Sequence, residues 1–172
     1  EFGGCTAHFM VSKVDAGKII VQEKIKIDPN DNSFTLRKKC GKLLGKLAVK
    51  TYQILAKDPE YAGFMPKGEK ASYHPPREKN KLIDWNENAV NIFNLIRGLS
   101  PYPCAILAYK NKELRISKAK ITNLKSGTGL IGNIKKDDDG KLLIGTKDSF
   151  IKIISLRISD EIIDDYADKI GD

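Results

Sequence analysis

The stretch CAILAYKNKELRISKAKI, residues 104–121, decides how the second half of the chain folds. Two runs rich in apolar residues flank a polar turn near Lys110-Asn111-Lys112, a pattern that predicts a β-hairpin. Three more apolar runs follow, separated by short polar or glycine-containing segments: GLIGNIKK, KLLIGT and SFIKIISLRI. About five short strands, with a turn signal roughly every ten residues, are typical of a small antiparallel barrel.

The second strand of this hairpin carries an irregular pattern. Leu114 and Ile116 alternate in one phase, whereas Ala119 and Ile121 alternate in the other. Side chains alternate between the two faces of a strand, so all four can face inward only where an extra residue interrupts the ladder. We therefore predict a β-bulge near Ser117.

Basic residues accumulate on the outer side of these strands, because the bulge lets Arg115 share a face with Lys118 and Lys120. Four residues are candidate phosphate contacts: Lys112, Arg115, Lys118 and Lys120. OB-type barrels commonly present such a surface to nucleic acid, together with aromatic residues on which bases stack. Tyr102 and Tyr109 are candidates for stacking, although the Pro-Tyr-Pro context of Tyr102 favours packing under the preceding helix.

The first half of the chain predicts a strand and a long helix. Residues 18–27 form a β-branched run that ends in alternation, which is a strand signal. Over residues 34–57 apolar residues recur at spacings of three and four, which predicts an amphipathic helix with Asp31 or Ser33 as its N-cap. A shorter helix is expected to begin after an N-cap at Asn86.

These elements predict an α/β plus β architecture in two parts. Residues 1–57 form a strand–helix unit, and residues 58–81 form a linker that holds four of the seven prolines and lacks an apolar period. Residues 82–160 form a helix-plus-antiparallel OB-like barrel domain. Residues 161–172 form an acidic tail.

Charge and composition restrict the classes of partner. The chain carries a net charge of +8, and residues 160–172 carry −5, so the rest carries +13 and favours a polyanionic partner. No apolar run approaches the roughly 18 residues of a membrane span, so no membrane partner is expected. Three dispersed cysteines and two histidines predict no metal site, and unpaired thiols fit the cytoplasm.

Two segments resemble one family of enzymes. GCTAHFMVSKVDAGKIIVQEKIKIDPNDNSFTL, residues 4–36, resembles the last third of the catalytic domain of the 10-formyltetrahydrofolate-dependent formyltransferases. Residues 81–121 are similar to the start of the C-terminal domain of the methionyl-tRNA-specific members, on the motifs Ile-Asp-Trp, Ile-Arg-Gly and Ser-Pro-Tyr-Pro. The two segments occur in the family's order and cover about 120 residues with the spacing between them.

This resemblance implies that residues 1–57 are the C-terminal remnant of a Rossmann-like formyltransferase domain, with 10-formyltetrahydrofolate as co-substrate and no metal. Asp15 would be the catalytic carboxylate, which orients a histidine and moves a proton during formyl transfer to an amine. Val14, Asp15 and Gly17 would form the folate-binding turn, where Gly17 lets the backbone approach the pterin because it has no Cβ. His8 would contribute to substrate binding.

The resemblance also implies an Asn-x-His-x-Ser motif, whose Asn and His stabilise the tetrahedral intermediate and handle its proton. The 172 residues contain no such motif, and the second histidine, His74, lies in Tyr-His-Pro-Pro. We therefore expect the chain to be the C-terminal part of a formyltransferase and to be inactive alone.

Three roles stay open at this point. The expected formyl acceptor is the amino group of methionyl-tRNA, which makes initiator tRNA the expected partner. A nucleotide sugar is the alternative acceptor, because Val-Asp-Ala-Gly and His8 fit the sugar-nucleotide N-formyltransferases equally well. A third alternative is that these residues act only as an RNA-binding module.

Overall fold

The computed structural model describes residues 1–66, 81–109, 112–158, 161–164 and 166. Outside the described residues lie most of the expected linker, including His74, and the end of the acidic tail. Lys110 and Asn111, the first two residues of the expected hairpin turn, are also outside them. The chain divides into two compact units, Glu1–Pro75 and Pro76–Asp172.

The first unit is a two-stranded antiparallel sheet with one helix. It contains β1 (Phe2–His8), β2 (Ile19–Lys26) and α1 (Ser33–Lys57). Cys5 is buried on β1 and packs with Ile20, Val21 and Leu47 in the core between sheet and helix. The predicted strand and long helix are therefore both present.

The N-cap of α1 is Asn32, so the expectation of Asp31 or Ser33 was wrong. The Asn32 side chain accepts a hydrogen bond from the Thr35 backbone N–H, and the Thr35 hydroxyl oxygen accepts one from the Asn32 N–H. This reciprocal pair satisfies two of the orphan donors at the start of a helix. Asp31 contacts the Lys39 ammonium at 2.5 Å, and that contact is the main reason that the pKa of Asp31 is lowered.

The second unit is one helix packed on a six-stranded, curled antiparallel sheet. The helix and strands are α2 (Ala89–Leu99), β3 (Ala105–Tyr109), β4 (Lys112–Lys125), β5 (Ile134–Lys136), β6 (Leu142–Gly145), β7 (Ser149–Ile158) and β8 (Glu161–Ile163). The sheet order is β3-β4-β7-β6-β5, and β8 pairs with β7. A single 3₁₀ turn, Thr128–Leu130, lies between β4 and β5. The structure is therefore mixed α/β with a half-barrel sheet.

The predicted bulge in β4 is confirmed. Ile116 pairs with Leu156 on β7 and Lys118 pairs with Ser155, so Ser117 is the extra residue that the ladder register omits. As a result Leu114, Ile116 and Ala119 are all buried, and Lys118 and Lys120 are exposed.

Helix α2 begins later than expected and is capped from a distance. Its N-cap is Asn88, not Asn86, and the Asn88 side chain makes no capping hydrogen bond. Instead the Ala89 backbone N–H donates to Asp148 Oδ1 at 2.8 Å, across 59 residues of sequence. This bond is the main reason that the pKa of Asp148 is lowered.

The acidic tail, residues 161–172, contributes to the sheet and to the core. Strand β8 lies in this tail, and the ring of Tyr166 in the same tail is completely buried. The Tyr166 hydroxyl donates to the Ile153 carbonyl at 2.7 Å and accepts from the Leu142 N–H at 3.1 Å. Burial raises the pKa of Tyr166 to about 12.

Candidate functional site

The loop between β1 and β2 carries the residues expected to bind folate. The Phe9 N–H donates to the Lys18 carbonyl at 3.0 Å, which extends the hairpin ladder to the base of the loop. The register shifts between Ala7 and His8, so that Ala7 pairs with Val21 and His8 pairs with Ile19. This irregularity lies directly beside His8.

His8 lies on the face of β1 opposite the core, since Ala7 and Phe9 on either side pack toward α1. Its imidazole is 29% exposed, and Nδ1 lies 2.9 Å from the Phe9 carbonyl oxygen. A carbonyl oxygen only accepts hydrogen bonds, so Nδ1 carries a proton in this arrangement. In the neutral ring Nε2 is then an acceptor.

Asp15 is the residue that the loop brings next to His8. Its φ of +54° is in the left-handed region, which Asp tolerates better than most residues. The carboxylate is 81% exposed, and its Oδ1 lies 3.9 Å from His8 Nε2. The two groups attract strongly only when His8 is protonated on both nitrogens, because otherwise two acceptors face each other.

Gly17 is buried against the same loop, and a neighbour within the chain explains why it is glycine. A Cβ at this position would lie 1.7 Å from the Phe9 carbonyl oxygen and 3.1 Å from His8 Nδ1. Gly17 therefore keeps in place the backbone that orients His8. Val14 and Met10 both lie between β1 and β2 and are 84% and 88% exposed. Phe9 and Met10 were not predicted as site residues, and the only sequence signal for Met10 is an apolar residue in a turn.

The second group of expected site residues lies on β4, in the other unit. Lys118 and Lys120 are exposed on the outer face of the sheet, and Arg115 is half-buried. Lys112 is also exposed, but it pairs with Tyr109 and is in phase with the buried Leu114, so the expectation that it shares the outer face was wrong. Lys120 pairs across the ladder with Lys152, whose ammonium contacts both Asp137 and Asp139. The hydrogen bond to Asp137 is the main reason that the pKa of Lys152 is raised.

Arg157 is a residue of this surface that the sequence analysis missed. It lies directly opposite Arg115 on the neighbouring strand, and no sequence signal specifies that register. The Arg115 guanidinium donates to the Pro103 carbonyl at 3.3 Å, and the Arg157 guanidinium donates to the Pro101 carbonyl at 3.2 Å. Both arginines are thus attached to one turn.

Tyr102, at the tip of that turn, is 69% exposed, so the expectation that it packs under the helix was wrong. Its ring centroid lies 5.4 Å from the Arg157 guanidinium, within the range of a cation–π contact. Tyr109, the other candidate for stacking, is partly buried and packs against the core.

Two features of the described residues bear on metals and membranes. Within residues 1–66, 81–109, 112–158, 161–164 and 166, no three side chains of His, Cys, Asp or Glu come together as a metal-binding group would require. Over the same ranges, neither helix combines the length and the apolar character needed to span a membrane.

Comparison with known proteins gives two family matches. Residues 1–51 match the model of the formyl transferase domain, and residues 77–166 match that of the formyl transferase C-terminal domain. The methionyl-tRNA formyltransferase of Caldicellulosiruptor saccharolyticus is 32% identical over 162 residues, which cover 92% of this chain and 50% of that protein. That of Listeria innocua is 34% identical over 159 residues, covering 83% of this chain and 48% of that protein.

Two solved structures share the fold. WlaRD, a sugar 3N-formyl transferase, superposes with a TM-score of 0.65 at 22% identity, over 88% of this chain and 54% of that one. HypX from Aquifex aeolicus, solved in complex with tetrahydrofolic acid, gives a TM-score of 0.61 at 15% identity, over 98% of this chain and 30% of that one.

The chain spans about half the length of the curated relatives it matches. The C-terminal family model alone covers residues 77–166, more than half of the 172 residues. On this evidence the chain belongs to the formyl transferase family.

Proposed function

We propose that the protein containing these residues transfers a formyl group from 10-formyltetrahydrofolate to the amino group of methionyl-tRNA. The observation that carries this proposal is the His8–Asp15 pair, 3.9 Å apart in the loop of a formyl transferase domain. The reduced state of all three cysteines is compatible with work in the cytoplasm.

The chemistry gives each loop residue a role. The amine nitrogen attacks the formyl carbon, the new N–C bond forms, and the bond between that carbon and N10 of the folate breaks. The amine loses one proton and N10 gains one, so a group that relays a proton lowers the barrier. Asp15, exposed at the loop surface, would accept and return that proton, and Val14 and Gly17 would shape the turn beside the pterin.

The remaining catalytic groups would come from outside the 172 residues. The Asn-x-His-x-Ser motif expected of the family is not in this sequence. In this proposal residues 1–57 belong to a Rossmann-like catalytic domain, residues 58–81 link it to the OB-like domain, and the chain alone lacks activity. The β1–β2–α1 unit supports the first part of the proposal because it holds a core of its own.

The acceptor is the finer part of the proposal. The names of the curated relatives and the exposed Lys112, Lys118 and Lys120 support tRNA, because phosphate contacts need cationic side chains on an accessible face. The superposition with WlaRD favours a nucleotide-linked amino sugar as the second candidate.

The experiment is a formyl-transfer assay on the intact enzyme that contains these residues, with methionyl-tRNA and with a nucleotide-linked amino sugar. We expect methionyl-tRNA to be formylated. Replacing Lys112, Lys118 and Lys120 together by Ala should raise the KM for methionyl-tRNA, while kcat changes less. The slope of log KM against log salt concentration should also fall by about 0.7–0.9 for each phosphate contact that is lost.

The matched control removes three exposed lysines from the solvent face of α1: Lys38, Lys42 and Lys46. It takes away the same charge and should leave the KM for methionyl-tRNA within about twofold of wild type, because in this proposal the phosphates contact the lysines of β4 and not those of α1. An unchanged KM for the sheet variant, at low and moderate salt alike, would reject tRNA as the acceptor and favour the sugar.

A further inference from the structure

Two of the three cysteines meet where β1 packs on α1. Cys5 is buried on β1, Cys40 is half-buried on α1, and both belong to the core between sheet and helix. The Cys5 thiol donates to the Cys40 carbonyl oxygen across 3.7 Å. Burial is the main reason that the pKa of Cys5 is raised, and a hydrogen bond with the Cys40 side chain raises it further. The two thiols are therefore neighbours in the fold.

Neighbouring thiols on two packed elements are the starting point for a disulfide. The S–S bond is about 2.05 Å long, and it requires the two Cβ atoms to lie about 3.5–4.5 Å apart. Cys40 is directed at β1 because it shares a face of α1 with Leu43 and Leu47, which pack in the same core. Two side chains that are already in contact need only rotate and close a short gap to form the bond.

The cysteines differ in their access to a dissolved reagent. Cys5 is 9% exposed, so a reagent from solution does not reach its thiol in the folded chain, whereas Cys40 is only half-buried. The remaining cysteine, Cys104, belongs to the other unit, where it is completely buried and its thiol donates to the Pro101 carbonyl at 2.9 Å. A reagent should therefore meet Cys40 first, and Cys5 is the thiol placed to react next.

We propose that Cys5 and Cys40 form a site of reversible oxidation, at which a small disulfide of the glutathione class converts the two thiols to an intramolecular disulfide. Disulfides in cytoplasmic proteins are mostly transient and redox-sensing, so the reduced pair is the resting state. The bond closes a loop over residues 6–39, which includes His8 and Asp15. This inference does not depend on the formyl acceptor, because it concerns the core of the β1–β2–α1 unit.

The reaction is two thiol–disulfide exchanges. The Cys40 thiolate attacks one sulfur of oxidised glutathione, a mixed disulfide forms, and the first glutathione thiolate leaves and takes up the proton that Cys40 lost. The Cys5 thiolate then attacks Cys40 Sγ, the bond between the two cysteines forms, and the second glutathione leaves with the proton from Cys5. Two electrons pass from the protein to the small disulfide, and excess reduced glutathione reverses both steps.

The test is mass spectrometry of the full 172-residue chain after incubation with oxidised glutathione under native conditions, with free thiols then blocked by N-ethylmaleimide. We expect the chain to lose the mass of two hydrogen atoms and to give one linked pair of peptides, from Cys5 and Cys40. The same oxidation in concentrated urea should link the three cysteines without this preference. A folded chain that stays reduced, stops at a glutathione adduct on Cys40, or links either cysteine to Cys104 would overturn the proposal.

Single substitutions test the order of the two steps. Cys5→Ser should stop at the glutathione adduct on Cys40, and Cys40→Ser should leave Cys5 unmodified. The matched control is Cys104→Ser, which also removes one thiol, keeps a donor for the Pro101 carbonyl, and should form the disulfide within about twofold of the wild-type rate. A glutathione adduct on Cys5 in folded Cys40→Ser would contradict the order. If a variant fails to fold, the peptide map of the wild type decides alone.

Amide exchange shows whether the bond fits the folded unit. A disulfide that closes a loop of this size should slow the exchange that requires unfolding of β1 and α1 by about 30-fold to 800-fold relative to the reduced chain. Reduction should restore the original rates, and α2 should be unaffected. Equal or faster exchange of β1 and α1 in the oxidised chain would mean that the bond forms only by distorting the unit, and would overturn the proposal.

Discussion

Gly17→Ala is the perturbation that best tests the role proposed for the loop between β1 and β2. A Cβ at Gly17 would lie 1.7 Å from the Phe9 carbonyl oxygen, and real Cβ contacts are essentially never shorter than 3.0 Å. The backbone must therefore separate by about 1.3 Å, the difference between these two distances. Overpacking of this kind costs about 1–3 kcal/mol or more.

The displacement has a local and a functional consequence. The Phe9 carbonyl holds His8 Nδ1 at 2.9 Å, so a shift of the carbonyl also changes the position of the imidazole relative to Asp15. A displacement of about 1 Å at a catalytic group can cost about 100-fold in rate. We therefore expect faster amide exchange in the peptides that cover β1 and β2, measured by mass spectrometry on the full chain, and a kcat in the intact enzyme lowered by about 100-fold.

Two other glycines supply controls for the same chemical change. A Cβ at Gly41 or Gly45, both within α1, would meet nothing within 4 Å. Alanine is favoured over glycine in a helix interior by about 0.8–1 kcal/mol, so Gly41→Ala and Gly45→Ala should slow exchange in α1. Wild-type exchange in Gly17→Ala, or faster exchange in both helix variants, would refute the reasoning.

Three more predictions concern ionisable groups. Burial raises the pKa of Tyr166 to about 12, so the unfolded chain loses this proton first, and the free energy of unfolding should fall by about 2 kcal/mol from pH 10 to pH 12. Urea unfolding followed by Trp85 fluorescence checks this, and Tyr166→Phe should remove the dependence. Asp148→Ala should cost about 1 kcal/mol by the same assay, whereas Asp148→Asn, which keeps an acceptor for the Ala89 N–H, should cost less. Asp15→Asn in the intact enzyme should lower kcat by about 100-fold with little change in KM for the folate, and a kcat within fivefold of wild type would exclude Asp15 from the mechanism.

Local patterns in the sequence were sufficient for several elements of the fold. The apolar spacing over residues 34–57 predicted α1, because one face of a helix must pack on the sheet. The conflict between two phases of alternation predicted the bulge at Ser117, because a buried strand cannot turn apolar side chains toward water without cost. Both predictions depend on neighbours within a few residues.

Features set by distant contacts could not be predicted. Asp148 caps α2 from 59 residues away. The residues next to the helix carry no sign of this contact, and they predicted an N-cap at Asn86 instead. The partnership of Arg115 with Arg157 depends on the register of β4 against β7, which follows from the whole sheet. Gly17 was predicted to matter because it has no Cβ. The neighbour that requires a glycine there, the Phe9 carbonyl, can be identified only from the folded loop.

The two groups of candidate site residues should respond differently to salt, because different forces govern them. His8 is positioned by a contact of 2.9 Å between its Nδ1 and the Phe9 carbonyl oxygen, and a contact of this length depends little on ionic strength. The exposed lysines of β4 would instead attract phosphates through their charges, so their contribution to binding should fall steeply as salt rises. A salt titration of the intact enzyme should therefore raise the KM for the proposed tRNA acceptor and change kcat much less. A loss of kcat as large as the rise in KM over the same salt range would contradict this separation.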